Sequence, residues 1–164
     1  MAFDAFLKIE GIEGESTDGK HKGEIEILSY SWGISQPATV AASTHGSLTA
    51  ERANFGPFTI VKALDKASPK LSIACASGEH YPSAKLEICR AGGDKEPYME
   101  YKMTDVIVTS IHPGGSSKGA EAIPLEEVSF SYGKFELKYT KLDMKGKPAG
   151  NVAAGWDLKS NKKV

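Results

Sequence analysis

The segment VSFSYGKFELKY, residues 128–139, decides the fold class. Its large apolar side chains occupy even positions up to Tyr132 and odd positions from Phe135 onward, so two alternating runs meet at Gly133 and Lys134. Strict alternation places one side of a segment against a core and the other side in solvent, which is typical of a half-buried β-strand. A change of phase inside such a run indicates a bulge. We therefore predict a long strand with an irregularity near its middle.

A second alternating segment supports a strongly curled sheet. Apolar residues occupy odd positions through Ile27 and even positions from Leu28 to Ile34, which indicates another bulge where the phase changes. Further strands are predicted for residues 3–12, 86–88, 98–111 and 152–158. Because bulges bend long strands, we predict a mainly β protein in which two curled, mostly antiparallel sheets form a barrel.

One short helix is predicted beside the sheets. Ser68 and Pro69 supply a capping side chain followed by a proline suited to the first turn, and Gly78 is a plausible C-terminal stop. Leu71 and Ala74 lie three residues apart between these signals, so they share one face of the helix. We expect that apolar face to pack against a sheet.

The composition is that of an ordinary globular domain. The chain has 164 residues, 40% of them hydrophobic, and its 20 basic residues against 21 acidic ones exclude a strongly basic nucleic-acid-binding protein. We expect one domain over residues 1–164, a long loop at about 36–50 and a polar tail at about 159–164. Since neither a secretory leader nor an apolar run of about 18 residues is visible, we expect synthesis in the cytoplasm and no membrane insertion.

The most suggestive catalytic motif is the glycine and lysine spacing of residues 14–20, which resembles a phosphate-binding loop. His21 stands where such a loop needs a serine or threonine for magnesium, and Glu15 and Asp18 would face the bound anion. A strand is predicted to follow, where a helix N-terminus is needed. We therefore interpret this segment as an acidic turn between strands.

The histidines and cysteines do not match a metal-binding pattern. The four histidines are scattered singly, and neither cysteine belongs to a CxxC pair, so we expect no metal and no cofactor. Cys75 and Cys89 are expected to be small buried side chains. An enzyme that uses one of them as a nucleophile, with His80 as its base, is the catalytic alternative, although no activating arrangement is visible in the sequence.

Small hydroxyl side chains alternate with large aromatic ones in two segments. Ser29 and Ser31 point away from Tyr30 and Trp32, and the pattern recurs through residues 129–132. An ordinary half-buried strand and a smooth, mildly polar docking surface both produce this alternation. The spacing leaves the two interpretations open.

Several ordered motifs together resemble the haemolysin-coregulated protein family, Hcp, which forms the inner tube of bacterial type VI secretion systems. The resemblance covers nearly the whole chain. The motifs, in chain order, are Met1-Ala2-Phe3-Asp4 with Phe6 and Lys8-Ile9, Gly14-Glu15-Ser16 with Asp18 and His21, Ser31-Trp32-Gly33, His80-Tyr81-Pro82 with Ala84 and Leu86, Ala91-Gly92-Gly93, and Gly155-Trp156.

This resemblance implies a structural protein and not an enzyme. Members of the family form homo-hexameric rings that stack into a hollow tube, and a contractile sheath drives the tube out of the cell with its spike and effector proteins. The rings also carry small effectors in their channel, as an export chaperone does. Export by this machine needs no signal peptide, so cytoplasmic synthesis and secretion are compatible.

The resemblance also implies two groups of site residues. The channel wall candidates are Ser31 and Ser29, whose small side chains would leave room for folded cargo. The loop over residues 36–50 corresponds to the family's loop toward the neighbouring ring, and its ring-stacking candidates are Pro37, Val40, His45 and Leu48.

A monomeric binding module is the alternative to the tube protein. Small β-barrels often bind an apolar ligand in their interior. Trp32 and Tyr30 would then line the ligand cavity.

Overall fold

A computed structural model describes residues 2–40 and 48–164 and confirms a mainly β protein, with one short helix in that part of the chain. No helix in these two stretches is long and apolar enough to cross a membrane. The elements are β1 Phe3–Ile9, β2 Ile25–Ile27, β3 Ser29–Ser31, β4 Ile34–Ser35, β5 Ala38–Val40, β6 Leu48–Ala50, β7 Asn54–Phe55, β8 Phe58–Ala63, α1 Ser68–Ser77, β9 His80–Arg90, β10 Pro97–Gly114, β11 Leu125–Leu142, β12 Pro148–Asp157 and β13 Lys162–Lys163.

The strands form one large antiparallel sheet and two small ladders. The large sheet has nine strands in the order β13-β12-β11-β10-β9-β1-β2, with β8 beside β11 and β3 beside β8. The prediction that two sheets form a barrel is wrong: the main strands belong to one large sheet, and the sheets do not close into a barrel. At Leu28, where the sequence pattern changes phase, the chain passes from β2, which pairs with β1, to β3, which pairs with β8. The Leu28 amide still donates a 2.8 Å hydrogen bond to the Val61 carbonyl.

Near Gly133, where an irregularity is predicted, the buried side chains of β11 change from even to odd positions. On the neighbouring β10, the buried side chains change from odd to even positions near Asp105. The register between β10 and β11 is the same on both sides of this point, and it shifts only between Val108 and Ser110. Asp105, which lies opposite Gly133 in this register, has a left-handed backbone with φ of 56°. A Cβ on Gly133 would lie 2.8 Å from Cε of Lys159, so glycine leaves room for that lysine to cross the strand.

The hydrophobic core lies between the curled strands and the helix. Leu71 and Ala74 are fully buried, so the predicted apolar face of α1 is confirmed. Gly78 ends the helix with φ of 67°, and its amide donates to the Ala74 carbonyl at 3.0 Å. The predicted cap differs in detail, because Ser68 is already the first helical residue and its hydroxyl donates instead to the Glu126 carboxylate at 2.6 Å.

The segments predicted as a loop and as a tail contain short strands. In the segment 36–50, the residues of β5 pair with those of β6, and residues 41–47 lie outside the described part of the chain. All six residues of these two strands are exposed, so the pair stands clear of the main sheet. In the segment 159–164, Lys162 and Lys163 pair with the end of β12.

The acidic turn over residues 14–24 folds back tightly on itself. The Gly14 amide donates to the Gly23 carbonyl at 2.8 Å, and the Ser16 amide donates to the Glu24 carbonyl at 3.0 Å. A Cβ on Gly14 would press against the Glu24 carbonyl and lie 2.6 Å from the Ile25 Cα. Since both neighbours are backbone atoms, the turn requires glycine at this position.

We predict that Gly14→Ala destabilises the protein by about 1–3 kcal/mol, because the added methyl group forces the backbone of β2 to move. Urea unfolding followed by circular dichroism measures the change. Gly19 is the matched control, since a Cβ there meets no atom within 4 Å. Equal effects of Gly14→Ala and Gly19→Ala would contradict the assignment of a close backbone approach.

Candidate functional site

A row of hydroxyl side chains crosses four neighbouring strands. Ser31 of β3 lies opposite Thr59 of β8, which lies opposite Ser129 of β11, which in turn lies opposite Ser110 of β10. We call these four residues the hydroxyl row. The Thr59 and Ser129 hydroxyl groups are hydrogen-bonded at 2.9 Å, and Ser31 is exposed. The row places small, uncharged hydroxyl groups on this side of the sheet, with Thr59 and Ser110 half-buried and Ser129 buried.

Ser29, the second predicted channel residue, lies two residues from Ser31 on the same side of β3. It is exposed and pairs with Val61 of β8. The structure therefore places both predicted serines on one face of the sheet, next to each other along the strand.

Aromatic side chains fill the opposite side of β3. The Tyr30 ring stacks on Phe58 with ring centroids 6.0 Å apart, and its hydroxyl group lies 3.3 Å from that of Tyr101. Burial, together with this hydrogen bond, raises the pKa of Tyr101 above its usual range. Trp32 donates its indole N–H to the Tyr132 hydroxyl. Because Tyr30 and Trp32 pack on other rings, the space that a bound apolar ligand would need beside them is filled by side chains.

The paired strands β5 and β6 form the second candidate surface, which we call the ribbon. Val40 lies opposite Leu48 at its described end, and these side chains are 63% and 71% exposed. Pro37 is half-buried at the base, where its carbonyl accepts a 3.1 Å hydrogen bond from the Glu51 amide. His45, the fourth predicted stacking residue, lies outside the described residues.

A buried ionic cluster joins the acidic turn to the sheet. The Nδ1 atom of His21 lies 2.9 Å from a Glu24 carboxylate oxygen and 3.3 Å from a Glu87 carboxylate oxygen. Its ring stacks on Phe6 with centroids 4.3 Å apart. Burial opposes ionisation of Glu87, but the hydrogen bond from Lys85, the positive charge of Lys85 and a hydrogen bond with Glu100 are among the causes that together outweigh it and lower the pKa of that carboxyl.

The sequence analysis did not find this cluster as a unit. Its three ligand-type atoms, from His21, Glu24 and Glu87, lie within 4.8 Å of one another, close enough to hold a metal ion. The two short distances are also those of hydrogen bonds from the imidazole N–H. Only the spacing of Asp18 and His21 in the family motif signalled the site, because Glu87 comes from a distant strand.

Cys89 is not arranged as an activated catalytic nucleophile. Cys89 is buried, and its Sγ atom lies 3.7 Å from Nε2 of His21, whereas the base expected in the catalytic alternative, His80, binds Asp105 at 2.8 Å. Burial, followed by the nearby Glu87 charge, raises the pKa of the Cys89 thiol to about 12. An activated nucleophile needs the opposite shift.

We predict that Cys89 resists alkylation in the native protein. Because its pKa is raised to about 12, the thiolate form is scarce at pH 8, and burial also blocks the reagent. Mass spectrometry after iodoacetamide treatment should show modification of Cys89 only after unfolding in urea. The partly exposed Cys75 is the internal comparison. Faster labelling of Cys89 than of Cys75 in the native protein would contradict the assignment.

Residues 6–139 match the family model described as "Type VI secretion system effector, Hcp". The chain is 37% identical, over 98% of both sequences, to the protein hcp1 of Pseudomonas aeruginosa. A solved structure titled as that of a type six secretion system protein superposes with a TM-score of 0.93, at 36% identity over 99% of this chain and 100% of that one. Hcp1 from Salmonella typhimurium superposes with a TM-score of 0.82, at 38% identity over the full length of both chains.

These similarities, with the β-rich fold, define a secreted protein of the type VI secretion system. The match spans the sheet, the helix and the base of the ribbon. The chain belongs to the Hcp family, as its ordered sequence motifs predicted. This is a family of structural, secreted proteins and not a family of enzymes.

Proposed function

We propose that this protein is the subunit of a homo-hexameric ring that stacks into the secreted inner tube of a type VI secretion system. The observation that carries the proposal is the hydroxyl row. A channel wall that releases its cargo needs a surface without large apolar patches or strong charge, and the exposed hydroxyl group of Ser31 beside the half-buried ones of Thr59 and Ser110 supports such a wall. The aromatic layer behind Ser31 holds that wall in place.

The ribbon makes the contact between rings in this proposal. Val40 and Leu48 are exposed apolar residues at the described end of a ladder that stands clear of the main sheet. Covering such side chains by a neighbouring ring removes apolar surface from water. Pro37 stiffens the base of the ribbon, and His45 belongs to the same stacking segment.

The partners follow from this role. Effector proteins occupy the ring channel, and the ring acts as their carrier and chaperone. A contractile sheath surrounds the stacked rings, and a spike protein caps them. The protein is made in the cytoplasm and leaves the cell through the machine itself. Its near-zero net charge permits many copies to stack without strong mutual repulsion.

A bulky residue at Ser31 tests the channel assignment. We predict that Ser31→Trp leaves the ring intact and lowers the amount of co-purified effector, because the large indole ring occupies room that the cargo needs. The expected decrease is about tenfold or more, which corresponds to a loss of about 1.4 kcal/mol in binding free energy. The measurement is quantitative mass spectrometry of effectors retained on the purified ring. Ser72→Trp is the matched control, since Ser72 is an exposed serine on α1. Normal retention by Ser31→Trp would overturn the channel assignment.

A further inference from the structure

The buried cluster of His21, Glu24 and Glu87 brings two carboxylates to a single nitrogen atom. Carboxylate oxygens of Glu24 and Glu87 lie 2.9 Å and 3.3 Å from Nδ1 of His21. An imidazole donates one hydrogen bond from that atom, so one N–H group is shared by two acceptors of like charge. A divalent cation neutralises two neighbouring carboxylates better than one shared N–H group does.

The distances within the cluster are close to those between the ligands of one zinc ion. Zinc binds nitrogen and carboxylate oxygen atoms at about 2.0–2.2 Å in tetrahedral geometry, which places any two of its ligand atoms roughly 3.3–3.6 Å apart. The distances of 2.9 Å and 3.3 Å from Nδ1 of His21 are within about 0.5 Å of that spacing. All three ligand atoms lie within 4.8 Å of one another, so small side-chain rotations are enough to enclose an ion.

The large sheet and the acidic turn hold these ligands in place. Glu87 of β9 lies directly opposite Phe6 of β1, so both side chains project from the same face of the sheet. The His21 ring stacks on Phe6 with centroids 4.3 Å apart, and the His21 amide donates to the Asp18 carboxylate at 3.2 Å. The imidazole edge is therefore fixed beside Glu87.

The surrounding contacts leave the ligand atoms free to bind an ion. Lys85 binds Oε1 of Glu87 at 2.6 Å, and the other oxygen, Oε2, faces His21. When a metal binds Nδ1 of His21, the imidazole proton resides on Nε2, which lies 3.7 Å from Sγ of Cys89. Such a partner for the second ring nitrogen is typical of ligating histidines. The side chains of Glu24 and Glu87 are 15% and 12% exposed, so an ion can reach them from solvent.

We propose that His21, Glu24 and Glu87 form a zinc-binding site that ties the acidic turn to β9. The imidazole ligand favours zinc over magnesium and calcium, which prefer sites made of oxygen atoms alone. The sequence predicts no metal because Glu87 lies on a distant strand, where ligand spacing does not reveal it. The site is independent of the proposed ring, since all three ligands belong to one chain.

Calorimetric titration of the untagged, chelator-treated protein with zinc chloride tests the site. We expect one zinc ion per chain. Glu24→Gln and Glu87→Gln each replace a carboxylate with an amide of the same shape and should weaken zinc binding by about tenfold or more, since losing even an outer partner of a metal ligand has an effect of that size. His112→Gln is the matched control and should bind zinc as the wild type does, because His112 is an exposed histidine near the end of β10.

Two further measurements identify the ligands and the effect on the fold. Zinc at about 100 times its Kd should raise the Tm of the wild type by about 5 °C or more, and that of Glu87→Gln by about half as much or less at the same concentration. X-ray absorption at the zinc edge should show nitrogen and oxygen ligands at about 2.0–2.2 Å.

Three results would overturn the site. They are the lack of stoichiometric zinc binding by the wild type, equal zinc affinities of the wild type and a folded Glu87→Gln variant, and a sulfur ligand at about 2.3 Å, which would place the ion at Cys89 instead. Circular dichroism of each variant without zinc shows whether it is folded. The oligomeric state of the wild type bears only on the ring, so the failure of one proposal leaves the other standing.

Discussion

Lys62→Met is expected to lower the free energy of unfolding by about 3–5 kcal/mol, because it removes one partner of a buried ion pair. Lys62 is a residue of β8, and its side chain is fully buried with its ammonium group near the start of α1. Its ammonium group contacts the Glu126 carboxylate and lies 2.9 Å from an Asp65 carboxylate oxygen and 3.2 Å from the Ser68 hydroxyl. The Glu126 side chain is only 1% exposed, so its charge loses its main partner without gaining solvent.

Two further variants isolate this effect, all measured by urea unfolding. The double variant Lys62→Met/Glu126→Leu should recover most of the loss, since the buried Glu126 charge is then gone and the remaining carboxylate, that of Asp65, is 12% exposed. Lys20→Met breaks an exposed ion pair with Glu96 of similar length, 2.8 Å, and should change stability by about 0–1 kcal/mol. A small effect of Lys62→Met, equal to that of Lys20→Met, would contradict the buried network.

Trp32→Ala is the second large prediction, with an expected loss of about 3–5 kcal/mol. The indole packs edge-on against Phe135 with centroids 5.0 Å apart and donates its N–H to Tyr132. The Tyr132 hydroxyl in turn donates to the Gly56 carbonyl at 2.8 Å. Trp32 therefore connects the end of β3 to Gly56, at the foot of the β4–β7 ladder that leads to the ribbon.

Trp32→Phe separates the packing from the hydrogen bond. It keeps an aromatic ring in place and loses only the N–H, so we expect a loss nearer 1 kcal/mol by urea unfolding. Both variants should also weaken the stacking of rings more than the formation of a ring, because they disturb the contacts at the foot of the β4–β7 ladder that leads to the ribbon. If Trp32→Ala were no more destabilising than Trp32→Phe, the packing role would be wrong.

Local patterns in the sequence predicted most of the secondary structure. Alternation of apolar residues placed the strands, and the sequence from Ser68 to Gly78 placed the helix within a residue at each end. Whether the strands close into a barrel could not be predicted, because closure depends on which strands pair across long distances in the sequence. The phase change near Leu28 marks the point where the pairing partner changes from β1 to β8, and periodicity alone does not distinguish such a change from a bulge within one strand.

The candidate site was predictable only in part. The alternation around Ser31 indicated a hydroxyl-bearing face, but its alignment with Thr59 and Ser129 depends on pairing between strands far apart in sequence. The cluster of His21 with Glu87 could not be predicted for the same reason, because these two residues lie far apart in the sequence. The ribbon was predicted as an irregular loop because its strands are only three residues long and exposed on both faces, so they carry no hydrophobic alternation.

The solution mass of the untagged protein, measured by light scattering with electron microscopy of the same peak, tests the ring most directly. Six chains of 17.5 kDa give about 105 kDa, and we predict that mass together with ring-shaped particles. A single species at 17.5 kDa across all protein concentrations would contradict the ring and the stacked tube together.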